Sequence, residues 1–237
     1  MNYQAMGVIC ALMVCGTGLQ AMELTGGSLE IGYSAFNDQT DLNRTAIKGQ
    51  AEVGFNRNLA AQLDLGSYNF GLVDETGTNF TLHGIYHLNA ETSFGVFYAR
   101  DDIFNGSADQ IGIEAGFDVS EAFAAEVYAS TGDNAGADGT MFGFDLGYDI
   151  SDRVKLNAGL DHANYDLGTD LTRFSIGAEY NTGEYGNFYA EVGSLDISAF
   201  GLNGSEAYVG LGFRLDFGAE RGATFGQRGL LDMLPGL

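Results

Sequence analysis

Apolar residues alternate with small or polar residues along most of the chain. Leu29, Ile31 and Tyr33, for example, are separated by Glu30 and Gly32. Side chains of a β-strand point alternately to its two faces, so each such segment has one apolar face and one small or acidic face. No helical stripe of comparable length competes with this period of two. Twelve segments follow the pattern, near residues 28–36, 45–55, 59–67, 79–88, 92–99, 110–119, 122–130, 140–150, 153–161, 171–180, 187–196 and 205–217.

The lengths of these segments and of their connections indicate how the strands are arranged. Most segments are close in length to the roughly 9–11 residues that a tilted strand needs to cross a bilayer. Short turns such as 56–58 and 89–91 alternate with longer polar connections such as 37–44 and 100–109. An even number of strands joined by alternating short and long connections is typical of bacterial outer-membrane barrels. The pattern predicts an all-β fold, a closed antiparallel transmembrane β-barrel of about twelve strands with both chain ends periplasmic.

Charge supports this arrangement and excludes several partners. The chain has 32 acidic and 10 basic residues, a formal charge of −22, which argues against nucleic-acid binding and against docking on anionic cytoplasmic membranes. Within the twelve segments, the apolar face carries no Asp, Glu, Lys or Arg. The opposite face carries twelve acidic and four basic side chains: Glu30, Lys48, Glu52, Asp64, Glu114, Asp118, Glu126, Asp145, Asp149, Lys155, Asp161, Arg173, Glu179, Glu191, Arg214 and Asp216.

Alternation alone also fits a soluble β-sandwich, in which the apolar faces lie inside and the charged faces in water. Two features favour the barrel. The polar face is rich in glycine, which suits a crowded or water-lined interior. Apolar-face aromatics collect near the turn ends of the strands, as an interfacial girdle requires, and a looser set lies near the loop ends. The two sets are Phe55, Tyr86, Phe94, Phe117, Phe123, Tyr148, Tyr180, Phe188 and Phe217, and Tyr33, Phe80, Tyr98, Phe142 and Phe174.

The two ends of the chain differ from the repetitive region. Residues 1–21 contain no charge and a short apolar run ending in Ala21, which predicts a signal peptide and export by the Sec route. Both cysteines, Cys10 and Cys15, lie there, so we expect a mature chain without cysteine chemistry; lipid attachment at Cys15 is the weaker alternative. The barrel is expected to span 22–217. Residues 218–237 are interpreted first as a frayed periplasmic tail and second as a partial plug of the lumen.

Candidate functional residues lie on the predicted inward face. An acidic lining attracts cations and repels anions, which predicts a passive channel with cation preference. Asp101 and Asp102, in the predicted 100–109 loop, are candidates for a constriction or mouth. The predicted pore-lining residues are Glu30, Lys48, Glu52, Asp64, His83, His87, Glu114, Glu126, Asp145, Lys155, Arg173, Glu179, Glu191 and Arg214.

Catalytic and metal chemistry are not indicated. His83 and His87 share the inward face of one strand and could form a metal pair, but the sequence supplies no third ligand, so a hydrated lining is the preferred interpretation. No nucleophile with a placed partner can be named. We therefore expect no enzymatic activity, no resident metal and no cofactor.

The sequence resembles Gram-negative porins, in particular the small, acidic, glycine-rich porins of alphaproteobacteria. The resemblance covers about 22–217 and is sharpest in the last strand, where Gly212, Leu215 and Phe217 resemble the C-terminal assembly signal of outer-membrane proteins. It implies a Gram-negative outer membrane, with lipid, lipopolysaccharide, the barrel-assembly machinery and small solutes or cations as partners, and possible homo-oligomers. The chain departs from the pattern in three respects: it has fewer strands than the usual about sixteen, it continues beyond the terminal Phe217, and the loop matching the porin constriction is short.

Two functional classes follow from these observations. One is a channel for passive diffusion of small hydrophilic solutes, with cation preference. The other is a non-conducting outer-membrane barrel with a structural or adhesive role. Electrical recording across a bilayer separates them directly.

Overall fold

The computed structural model of the protein describes residues 23–72, 75–103, 106–134, 136–166, 168–183, 186–199, 202–218 and 223–236. The predicted signal peptide lies outside these residues. The strands are β1 Glu23–Phe36, β2 Asn43–Gly54, β3 Leu59–Phe70, β4 Glu75–His87, β5 Thr92–Ile103, β6 Gly106–Ser120, β7 Phe123–Asn134, β8 Ala137–Ser151, β9 Val154–Tyr165, β10 Thr169–Asn181, β11 Asn187–Ala199 and β12 Leu202–Gly218, followed by the short helix α1, Leu230–Met233. No helix among the described residues is both long enough and apolar enough to cross a membrane.

The twelve strands form one closed antiparallel barrel. Each strand pairs with its neighbours in the chain, and β12 pairs with β1 to close the ring, for instance at Leu29 opposite Leu215. Closure leaves no strand edge unpaired, which is what a spanning sheet requires in lipid. Every segment predicted from the alternation corresponds to one of these strands. The predicted closed antiparallel barrel of twelve strands is therefore confirmed.

The two faces of the barrel follow the alternation. Ile111 and Ile113 on the outer face are 63% and 66% exposed, whereas Gln62, Asp64 and His83 on the inner face are completely buried. Most of the predicted outward aromatics are exposed, in a set near each end of the strands. The exposed aromatics are Phe55, Tyr86, Phe94, Phe117, Tyr148, Tyr180, Phe188 and Phe217 at one end, and Tyr33, Phe80, Tyr98, Phe142 and Phe174 at the other.

The connections differ from the prediction. At the end of the barrel where longer loops were expected, strand pairing continues into the polar segments, so that only two residues separate β5 from β6 and β7 from β8. We call this the loop end, and the opposite end, where β1 begins and β12 stops, the turn end. Antiparallel pairing satisfies backbone groups whatever the side chains are, so polar sequence did not prevent strand extension.

Strand extension also places charge on the outer face at the loop end. Arg100 and Asp102, assigned to a loop from the sequence, lie in β5, and Arg100 pairs with Asp102 and Asp109, each at 3.2 Å. Asp133 and Asp138 lie opposite each other on β7 and β8. The uncharged outer face therefore covers the central part of the barrel, and an acidic collar follows it at the loop end.

Candidate functional site: the lumen and its plug

The C-terminal segment, residues 223–236, lies inside the barrel; we call it the plug. Near the turn end, the backbone N–H of Thr224 donates to Glu52 Oε2 at 2.8 Å. Near the loop end, Ser34 Oγ donates to the carbonyl oxygen of Pro235 at 2.6 Å. The segment thus runs along the lumen from one end to the other. The preferred interpretation of a frayed periplasmic tail does not hold for these residues, because polar and apolar side chains of the inner wall bind them throughout.

Arg228 anchors the middle of the plug. Its guanidinium is 3% exposed, pairs with Glu114 through Nε at 3.0 Å, and makes a second ion pair with Glu126. The guanidinium carbon lies 4.3 Å from the ring centroid of Tyr128. The carbonyl oxygen of Arg228 accepts hydrogen bonds from the side chains of Asn79 at 2.8 Å and Thr81 at 2.9 Å. Both the side chain and the backbone of Arg228 are therefore held by the wall.

The plug before Arg228 is held by amides. Gln62 donates from Nε2 to the carbonyl oxygen of Phe225 at 2.7 Å and accepts the Phe225 N–H at 3.1 Å, so it pairs with this residue as another strand would. The ring of Phe225 stacks on His83, with centroids 6.2 Å apart. His83 in turn bridges Asp64 at 3.0 Å and Glu114 at 2.7 Å.

Asp101 holds the start of α1. Its side chain is buried in the lumen, where Oδ2 accepts the N–H of Leu230 at 2.6 Å and of Leu231 at 3.4 Å. Asn79 donates to the other carboxylate oxygen at 2.7 Å. The first N–H groups of a helix lack acceptors within the helix. Asp101 of β5 supplies an acceptor for two of them. The sequence prediction paired Asp101 with Asp102 at a mouth; the structure places them on opposite faces of β5.

Asp232 forms the second charged anchor. Its carboxylate pairs with Lys48 Nζ at 2.7 Å, and Lys48 also contacts Glu30 at 3.4 Å. Arg173 and Arg44 donate to the carbonyl oxygen of Asp232 at 2.9 Å and 3.2 Å. Burial by itself would raise the pKa of Asp232, but the three cations outweigh burial and hold that pKa well below its usual range. Asp232 is therefore ionised in the docked plug.

An apolar cluster closes the loop end of the lumen. Leu231 and Met233 are each 1% exposed and pack among inward aromatic and aliphatic side chains of the wall. Burying a Leu or Met side chain contributes about 1.5–3 kcal/mol. This end of the lumen is therefore filled with packed side chains. The wall residues of the cluster are Phe36, Ala46, Tyr68, Phe70, Phe97, Ala99, Tyr128, Met141, Ala163, Tyr165, Leu171, Leu195 and Tyr208.

Inward glycines provide space for the plug. A Cβ atom on Gly66 would lie 2.6 Å from the Gln227 amide, and one on Gly77 would lie 2.7 Å from Leu231 Cδ1. A Cβ on Gly95 would lie 2.8 Å from the Phe225 ring. Carbon atoms do not approach this closely without displacement. The glycine-rich inner face therefore reflects crowding at these positions, one of the two explanations that the sequence allowed.

A polar cavity of about 560 Å³ remains between the plug and the wall, lined by residues of β1, β2 and β5–β12. It extends from Ala90 and Glu91 at the turn end to Tyr128 and Met233, where the apolar cluster begins. Three predicted pore-lining residues, Asp145, Lys155 and Glu191, line it and form no ion pair within the described part of the chain. This cavity has the volume and the polar lining to hold water and small solutes.

The other predicted pore-lining residues mostly occur in ion pairs or hydrogen bonds across the wall. Arg214 pairs with Glu179 at 2.8 Å, and Arg173 pairs with Asp161 at 2.7 Å. His87 lies 3.8 Å from Glu52. Among the described residues, no group of three or more His, Cys, Asp or Glu side chains is arranged to hold a metal ion. Among the described residues, the alternative of a His83–His87 metal pair thus gains no further ligand.

Several residues that bind the plug were not singled out from the sequence. Arg44 was assigned to a loop, but it lies in β2, is 7% exposed and donates to the carbonyl oxygen of Leu231 at 2.8 Å. Gln62, Asn79 and Thr81 are uncharged and gave no signal. One feature of the sequence did point to contacts between the tail and the inner face. The inward face has twelve acidic side chains and only four basic ones, and the tail carries two arginines, Arg221 and Arg228.

The plug's position can be checked by crosslinking. We expect Ser34→Cys combined with Pro235→Cys to be joined by a short bifunctional thiol reagent, because the Ser34 hydroxyl contacts Pro235. Beyond residue 21 the chain has no other cysteine. Tyr33→Cys with Pro235→Cys is the matched control, since Tyr33 is 43% exposed on the outer face. Mass spectrometry of digests should show the crosslink in the first pair only; equal yields in both pairs would contradict the docked position.

Comparisons with known proteins rest on structure. No protein-family model and no curated protein matches the sequence. The KdgM porin in complex with disordered oligogalacturonate superimposes with a TM-score of 0.62 at 10% identity, covering 80% of this chain and 99% of that one. The NanC porin gives 0.58 at 10% identity, covering 82% and 100%. An outer-membrane channel from Pseudomonas putida F1 gives 0.56 at 13% identity, covering 86% and 100%. The chain shares its fold with outer-membrane channels.

Proposed function

We propose that the protein is a channel of the Gram-negative outer membrane, reached by the Sec route, through which small hydrophilic solutes diffuse passively. The observation that carries this proposal is a polar cavity of about 560 Å³ inside a barrel with an apolar outer face. An interior of this kind does not fit a soluble sandwich, whose enclosed faces are apolar. The shared fold with outer-membrane channels supports the proposal. In the plugged structure the channel is closed at the loop end.

We further propose that the open channel prefers cations. Carboxylates outnumber cationic groups on the cavity wall, which raises the local concentration of cations and repels anions. The plug adds one charge of each sign to this lining, so it does not change the balance. The acidic lining residues are Glu30, Glu91, Asp118, Glu126, Asp145, Asp161, Glu191, Asp216 and Asp232, and the basic ones are Lys48, Lys155, Arg173, Arg214 and Arg228.

A non-conducting barrel with a structural or adhesive role is the second candidate. The observation that favours it is the apolar cluster, in which wall side chains such as Phe70 and Tyr165 contribute to closure alongside the plug. Small barrels whose interiors are filled by side chains are known to be stable without a pore. The two candidates differ in one measurable respect, because only a channel has a state in which the plug leaves and ions pass.

The partners that we propose follow from the surface. The apolar band with its aromatic girdles would face outer-membrane lipid and lipopolysaccharide. In β12, Leu215 and Phe217 are 41% and 38% exposed, and with Gly212 they form the segment that we propose the barrel-assembly machinery reads by edge pairing before β12 joins β1. A homo-oligomer and membership of the small acidic alphaproteobacterial porins stay predictions.

Recording from planar bilayers tests the proposed channel. Under a salt gradient, we expect the full-length protein to show brief channel openings. The sign of the reversal potential should indicate selectivity for cations, because the cavity wall is acidic. A variant that releases the plug should show the same sign with longer openings. A reversal potential of the opposite sign would contradict cation preference. Absence of any conductance in both proteins would favour the non-conducting barrel.

A further inference from the structure

The pocket that holds Arg228 has the features of a binding site for a guanidinium group. Glu114 is completely buried at its side chain and accepts from Arg228 Nε, and Glu126 forms the second ion pair from the neighbouring strand. Tyr128 lies under the guanidinium at 4.3 Å, and Phe97 lies at 5.9 Å. Two carboxylates and an aromatic face are the groups with which a planar, delocalised cation interacts best.

The wall positions these groups by contacts other than those with Arg228. Glu114 is fixed by His83, whose Nδ1 lies 2.7 Å from its Oε1, so one carboxylate oxygen is held on the wall and the other faces the guanidinium. Tyr128 donates from its hydroxyl to Asp161 at 2.7 Å. Phe97 and Tyr128 pack edge to face, with centroids 6.2 Å apart. The groups that contact the guanidinium therefore lie on β5–β7, and wall residues of β4 and β9 hold Glu114 and Tyr128 in addition to the plug.

The pocket is continuous with the cavity. Glu126 and Tyr128 line both, and Arg228 lines the same cavity as Asp145. If the plug leaves the lumen, as the proposed channel requires, the pocket opens directly onto the path of a solute. A solute with a guanidinium group would then meet the same carboxylates and aromatic face that Arg228 occupies in the plugged structure.

We propose that this pocket binds guanidinium-bearing solutes and that Arg228 is their internal substitute. The inference rests on the proposed channel only for its role in transport; binding itself does not require conduction. An ammonium group would satisfy the carboxylates as a point charge but would not stack on Tyr128. Specificity for guanidinium over ammonium is therefore the property that distinguishes this site from a merely acidic lumen.

The test uses the full chain with Arg228→Ala, which removes the guanidinium from the pocket and keeps every other residue of the chain. Isothermal calorimetry in detergent compares ethylguanidinium with ethylammonium. We expect ethylguanidinium to bind to the Arg228→Ala protein at least about tenfold more tightly than ethylammonium does. We also expect ethylguanidinium to bind at least about tenfold more weakly to the unaltered protein, because Arg228 fills its pocket. Adding Glu126→Gln to Arg228→Ala should weaken ethylguanidinium binding by about tenfold or more. The migration of unheated and heated samples on gels shows that each variant is folded.

The outcomes separate the pocket from the channel. Equal affinities for the two cations, or no loss of affinity on Glu126→Gln in a folded barrel, would overturn the guanidinium site whatever the bilayer recordings show. Selective binding together with silent bilayers would support the site and contradict the channel. Selective binding together with ethylguanidinium reducing the conductance of Arg228→Ala would support both.

Discussion

Replacing Arg228 by alanine is expected to increase the fraction of time that the proposed channel is open by about 100-fold or more. The guanidinium is buried between Glu114 and Glu126, and its removal leaves two carboxylates close together without a cation from the plug. Breaking a buried ion pair by removing one partner costs about 3–5 kcal/mol, and about 1.4 kcal/mol changes an equilibrium tenfold. Only the docked plug makes these contacts, so the whole effect appears in the equilibrium between docked and released plug.

The measurement is the open fraction in single-channel records of the full chain. Arg153→Ala is the matched control, because Arg153 is exposed in the β8–β9 turn and its loss changes the net charge by the same amount. We expect the control to behave like the unaltered protein. An Arg228→Ala protein that folds, shown by heat-modifiable migration, but opens no more often than the control would show that the plug is not the gate.

Leu231→Asp should release the plug by a different route. Leu231 is 1% exposed within the apolar cluster. Removing a buried leucine side chain costs about 2–5 kcal/mol, and a carboxylate there would be placed among the apolar side chains of the cluster, away from water. Asp101, which accepts the Leu231 N–H, would add repulsion between like charges. We expect an increase in open fraction of at least about 100-fold at neutral pH, on the conversion of about 1.4 kcal/mol per tenfold.

A matched substitution separates plug release from loss of the barrel. Leu72→Asp makes the same chemical change at a side chain that is 60% exposed beyond the end of β3, where we expect no effect on conductance. Both variants should keep the heat-modifiable migration of a folded barrel, because neither changes strand pairing. Long closed times in Leu231→Asp equal to those of Leu72→Asp would indicate that the wall aromatics close the lumen without help from the plug.

Much of the barrel was predictable because its pattern is local. The alternation of Leu29, Ile31 and Tyr33 with Glu30 and Gly32 reports the orientation of each side chain without knowledge of any partner strand. The same rule placed Asp64, Glu114 and Arg173 on the inner face, where the structure has them. Strand ends were less predictable, since backbone pairing extends β5 and β6 through polar residues such as Asp101 and Asp109. Apolar and polar residues do not alternate there, so the sequence pattern does not show that the strand continues.

The position of the plug was not readable from any local pattern. Leu230, Leu231, Met233 and Leu234 make about one helical turn, too short for a periodicity to indicate what they pack against. The contacts that hold the segment join residues far apart in the chain, such as Arg228 with Glu114 and Pro235 with Ser34. The sequence showed an excess of inward carboxylates but not where their cations and donors come from.

The sequence by itself determined the strands and their two faces, because a period of two is a property of consecutive residues. The uncharged apolar face and its two sets of aromatic side chains favoured the barrel over a sandwich. Only the tertiary structure decided that the lumen is occupied. Closing the barrel brings Lys48, Arg44 and Arg173 around Asp232 and places Glu114 and Glu126 around Arg228. The inward acidic side chains therefore have two roles: some hold the plug, and others line the cavity that remains.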